Sequence, residues 1–85
     1  MPRQWAADEY VWRQLANDLS VRIADGTYPL GSPLPGEEEL ASEYAVARVT
    51  VRRALAELRR RKLIKNLYGL RNAVAAMPGP GGLPG

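Results

Sequence analysis

Three helices followed by a small β-hairpin, a mainly α fold, is the class this sequence predicts. Three observations predict it. Apolar residues recur at helical spacing in two separate stretches, around Leu15 and around Leu55. A proline-rich segment and then a tight break divide the first 47 residues into two helical runs. Two short apolar stretches flank a turn that contains Gly69.

Trp12, Leu15, Ala16, Leu19 and Ile23 form one stripe and predict a first helix over 8–25. Asp8 and Glu9 are expected at its positive end, and Gly26 at its stop. Residues 27–36, TYPLGSPLPG, read as a loop, because Pro29, Pro33 and Pro35 each lack a backbone donor. A few extended residues are expected around Leu34. Gly36 is then the N-cap of a second helix that ends near Tyr44. Glu37, Glu38 and Glu39 fill its first turn, where carboxylates complement the helix dipole. That reading is preferred over a metal or acid–base site. Leu40 and Ala41 begin its buried face.

Ala45 and Val46 form a short break before a third helix over 47–61. Val51, Ala54, Leu55 and Leu58 give it a buried stripe, which leaves Arg48, Val49, Arg52, Arg53, Glu57 and Arg59 off that stripe. Leu63 to Lys65 and Ala73 to Ala75 read as strands joined by a turn around Gly69. One domain is therefore expected over 8–76. Residues 77–85, almost all Pro and Gly from Pro78 onward, read as a disordered tail or linker.

Composition narrows the function. Without Cys there are no disulfides or thiolate metal sites, and without His there are no imidazole bases or ligands. A chain of 85 residues holds one small core with little room for an active-site pocket. No nucleophile–base pair, phosphate loop or metal cluster is visible, so an enzyme is not expected, nor is a cofactor. The longest unbroken apolar run, Ala73 to Met77, is far short of a membrane span, and the first residues do not resemble a signal peptide. A cytoplasmic protein is expected.

Charge is split along the chain. Three basic and eight acidic residues up to Ala45 give −5, whereas nine basic residues against Glu57 alone give +8 over 46–71. A basic second half is the footprint of a nucleic-acid binder, although a solvated basic helix face has the same composition. The step from the second to the third helix is a helix-turn-helix, whose second helix places its N-terminal residues against bases in the major groove.

Residues 34–58, LPGEEELASEYAVARVTVRRALAEL, resemble the GntR family of winged-helix transcription regulators. The resemblance extends without a gap over about residues 10–75. It implies a winged helix-turn-helix that binds double-stranded DNA and regulates transcription, with repression the expected mode. It places DNA-facing residues at Arg48, Val49, Thr50 and Arg52, with Arg53 adding charge. In the wing, about 66–73, it places them at Gly69 and Arg71.

The sequence also departs from the family pattern. Gly36 replaces a capping Ser, Glu38 an Arg that often contacts DNA, and Ala47 a Ser. Lys62 stands where a Gly commonly ends the recognition helix. Leu70, Arg71 and Asn72 follow Gly69 in place of Arg-Gly-Thr, which shifts the wing arginine by one residue. Family members usually carry a C-terminal domain that binds an effector and forms the dimer. These residues do not include it, so a monomer alone and a dimer on DNA are expected. The rival reading is a protein-interaction module that docks an acidic partner on its basic helix. A membrane-surface peptide is disfavoured because the stripe of the third helix is committed to the core.

Overall fold

The computed structural model describes residues 5–67, 69 and 71–78. It contains α1 (Val11–Ala24), α2 (Glu37–Tyr44), α3 (Arg48–Arg60), β1 (Ile64–Leu67) and β2 (Arg71–Val74) in that order. Helices α1 and α2 both pack on α3, and their apolar faces close over one core. Leu15, Leu19 and Ile23 of α1 meet Leu40 and Tyr44 of α2 and Val51, Ala54, Leu55 and Leu58 of α3. Leu34, Leu63, Ile64 and Val74 seal the wing end of that core.

Helix α1 starts later than its apolar spacing predicts. Asp8 and Glu9 lie before it, and its first turn holds no acidic residue. The competing interaction is the buried side chain of Gln14. Its Oε1 accepts from the Ala6 N–H at 2.7 Å, and its Nε2 donates to the carbonyls of Ala6 (2.9 Å) and Glu9 (2.8 Å). These bonds hold residues 6–9 as a turn, a side-chain alternative to another helical turn. Trp12, expected on the buried stripe, is only partly buried and lies outside the core cluster.

Two helix ends close in the same way. After α2, the Val46 N–H donates to the Ala41 carbonyl (3.0 Å) and the Ala45 N–H to that of Ser42 (3.4 Å). After α3, the Leu63 N–H donates to Leu58 (3.0 Å) and the Lys62 N–H to Arg59 (2.9 Å). This is the Schellman pattern, which needs one left-handed residue, usually glycine. Ala45 (φ 55°) and Lys62 (φ 63°) occupy those positions here. The first closure is the turn of the helix-turn-helix, and the second directs the chain into the wing.

The wing is an antiparallel hairpin with Ile64 opposite Val74 and Leu67 opposite Arg71. Pairing extends further toward the turn than the expected strands, 63–65 and 73–75. Leu63 is used in the helix closure instead, and its carbonyl accepts from Ala75 at 2.7 Å. On the other edge of β2, the loop before α2 adds a single bridge, Pro33 with Ala73. Leu34 donates to Asn72 there at 2.9 Å, as expected of extended residues around that position. Proline suits such an edge because it has no donor to place. The expected tail falls mainly on 79–85, outside the described residues.

Candidate nucleic-acid interface

Helix α3 begins at Arg48, after Ala47 in extended conformation, whose carbonyl accepts from Thr50 (3.0 Å) and Val51 (3.2 Å). Val51 is fully buried, which fixes the helix rotation. Arg48 and Arg52, one turn apart, are therefore directed outward, with side chains 59% and 57% exposed. Val49 is exposed beside them and Thr50 is half-buried.

Glu37, the first residue of α2, links the two arginines. Arg52 Nε lies 3.3 Å from both of its carboxylate oxygens, and Arg48 Nη2 lies 3.6 Å from Oε1. The positive end of α2 stabilises this carboxylate as well. Glu37 thus combines the expected helix-start role with a second one, orienting two guanidinium groups on the same side of the motif.

Arg53 does not join them. Its guanidinium lies 5.3 Å from the centre of the Trp12 ring, over the α1 side of the domain. Arg13 stacks on the same ring at 5.6 Å, and Tyr10 lies 6.1 Å from it. The Trp12 Nε1 is buried with no hydrogen-bond partner among the described residues.

Gly69 sits at the wing tip with φ 71°, a backbone conformation that favours glycine. Arg71 is exposed at the start of β2. Both line a cleft of about 580 Å³ between the wing and the start of α2, together with Glu38, Arg48 and Asn66. The wing strand is tied to α3 by Arg59, which donates to Asn72 Oδ1 at 3.0 Å.

At the far end of α3 the basic residues are engaged differently. Glu57 accepts from Arg60 (2.9 and 2.6 Å) and from Arg61 (2.8 Å). Chiefly through the Arg60 bond, and then Arg61, its carboxyl is held down to about 2. On the α1–α2 side, the Tyr44 hydroxyl donates to Asp18 at 2.9 Å, and Arg22 lies over the Tyr44 ring at 5.1 Å. Burial, followed by that hydrogen bond, pushes the Tyr44 phenol above its ordinary value. Among the described residues no group of three or more acidic side chains is arranged to hold a metal, and no helix is long and apolar enough to cross a membrane.

The structure therefore brings Arg48, Val49 and Arg52 together on one face and places Gly69 and Arg71 across a cleft from it. Sequence reasoning missed the Glu37 bridge and the Trp12–Arg53 stack. Both join residues far apart in sequence, and no local spacing signals either.

The family model "Bacterial regulatory proteins, gntR family" matches residues 12–69. The mannosyl-D-glycerate transport/metabolism system repressor MngR of Escherichia coli is 37% identical over 59 residues, covering 69% of this chain and 25% of that protein. The transcriptional repressor NagR of Bacillus subtilis is 34% identical over 59 residues, covering 69% of this chain and 24% of that protein. The chain thus spans about a quarter of the length of these relatives. A GntR family regulator from Listeria monocytogenes superposes with a TM-score of 0.78 at 27% identity, covering 84% of this chain and 62% of that one. Streptococcus agalactiae BusR, in complex with its busAB-promotor DNA, superposes with a TM-score of 0.71 at 25% identity, covering 76% and 32%. With three helices and a wing in the arrangement of these regulators, and with its family match spanning the helix-turn-helix, the chain belongs to the gntR family of bacterial regulatory proteins.

Proposed function

We propose that this domain binds specific double-stranded DNA sequences and serves a transcription repressor. Helix α3 enters the major groove with Arg48 and Arg52 against base edges, each able to bridge guanine O6 and N7. Val49 faces the same groove, and Thr50 reaches a phosphate. The wing lays Gly69 and Arg71 against the minor groove or the backbone. Arg53, held over Trp12, acts through its charge on the flanking phosphates.

The observation that carries this reading is the outward pair Arg48 and Arg52, oriented by Glu37 at the N-terminal end of α3. Repressor relatives and the promoter-bound BusR neighbour support it. The domain is a monomer alone and pairs on DNA through two half-sites related by a twofold axis, in the cytoplasm. The alternative is a module that docks an acidic partner on its basic helix; among the described residues no contact favours it over DNA.

Titration of labelled duplex DNA across a salt series tests the function. The logarithm of affinity is expected to fall with the logarithm of salt by about 0.9 per neutralised phosphate. A flat response sinks the nucleic-acid reading.

A further inference from the structure

Arg59 lies on the same stripe of α3 as Arg48 and Arg52. At 3.6 residues per turn, positions 48, 52 and 59 fall within about 40° of one another round the helix, and position 59 stands about 10 Å beyond position 52 along it. All three residues are exposed. Arg48 and Arg52 share Glu37, whereas Arg59 turns to the wing, where its Nη1 donates to Asn72 Oδ1 at 3.0 Å.

Asn72 marks the point where the wing leaves the body of the domain. Ala73 and Val74, which follow it in β2, are buried, Asn72 is partly buried, and Arg71 is exposed. The Asn72 carbonyl accepts from the Leu34 N–H at 2.9 Å, so the loop before α2 holds its main chain while α3 holds its side chain. Among the described residues, only the Leu67–Arg71 pair lies beyond it in the ladder. Arg71 and Asn72 line the wing cleft with Arg48. A hydrogen bond from a guanidinium is stronger than one between neutral groups. This one joins the helix that carries Arg48 and Arg52 to the strand residue next to Arg71.

We infer that Arg59 is a positioning residue, which through Asn72 fixes Arg71 relative to Arg48 and Arg52 so that wing and helix engage DNA as one unit. The inference rests on the DNA-binding reading above. It deepens that reading by giving the third arginine of the stripe to the wing instead of to a phosphate.

A double-mutant cycle on the 85-residue chain tests it, with a duplex selected by the unsubstituted chain as the probe. The variants are Asn72→Ala, Arg71→Ala and the two combined. Asn72→Ala keeps the charge of Arg59 and the main-chain bonds of β2. It is expected to weaken binding about threefold or more when Arg71 is present, and to change nothing further in the Arg71→Ala chain. If Asn72→Ala has no effect, or the same effect with and without Arg71, the inference is wrong. If Arg59→Ala weakens binding while Asn72→Ala does not, Arg59 holds a phosphate itself, and the inference is equally wrong. If Arg71→Ala alone has no effect, the wing arginine does not touch DNA and there is nothing for Arg59 to position. If the unsubstituted chain binds no duplex, the DNA-binding reading itself fails, and this one with it.

Discussion

Replacing Lys62 with glycine will stabilise the domain. Lys62 holds φ 63° so that its own N–H and that of Leu63 can close the end of α3 on Arg59 and Leu58. Its side chain is exposed, and no contact among the described residues compensates the strain. A left-handed conformation costs an L-residue roughly 1–2 kcal/mol. Glycine removes that cost but has about 0.5–1 kcal/mol more conformational freedom to lose on folding. Taking the middle of each range, the difference favours Lys62→Gly by about 0.75 kcal/mol. For a domain of this size that raises the melting temperature by roughly 2–8 °C. Thermal and urea unfolding followed by circular dichroism measure it, with an unchanged urea slope showing that the unfolded state is comparable. A lower or unchanged melting temperature with the same slope would refute the strain argument.

Three further outcomes follow from specific contacts. Tyr44→Phe removes the hydrogen bond to Asp18 and is expected to cost about 0.5–1.5 kcal/mol in urea unfolding, whereas no change would mean that water replaces the bond without loss. Glu57, held down to about 2 from an ordinary 4.5, stabilises the fold above the ordinary carboxylate range; that contribution drains away as pH falls from about 4.5 toward 2, and Glu57→Gln should flatten the decline in acid unfolding curves. Glu37→Gln will unfasten Arg48 and Arg52, costing under about 1 kcal/mol of stability because the pair is exposed. Its signature is a smaller ratio of specific to random duplex affinity, and an unchanged ratio counts against the orienting role.

The parts of the fold visible in the sequence are those set by one element's own pattern. The α3 stripe placed that helix within one residue at each end, because Val51, Ala54, Leu55 and Leu58 have only one way to be buried together. The same stripe made Arg48 and Arg52 outward residues. What stayed hidden depends on contacts between distant residues. The start of α1 is set by the amide of Gln14, which no hydrophobic period reveals. Arg53 looks equivalent to Arg52 in sequence, yet one helical position turns it toward Trp12 on α1. Glu37 gave a correct local signal, the acidic helix start, that concealed its pairing with residues of another helix. Positive φ at Ala45 escaped notice because the residue is not glycine, whereas at Lys62 the one sign of it was the family's helix-ending Gly at that position.

The central claim is that the N-terminal face of α3 reads bases and its far end does not. Competition of a selected duplex against random duplex at fixed salt tests it with Arg48→Ala, Arg52→Ala and Arg60→Ala. Arg48→Ala and Arg52→Ala are each expected to weaken specific binding by about 1–3 kcal/mol and to relax preference at one base pair. Arg60→Ala, whose side chain is engaged with Glu57, should change both affinities alike, if at all. Equal losses on both duplexes for Arg48→Ala and Arg52→Ala would make these residues phosphate clamps and contradict the claim.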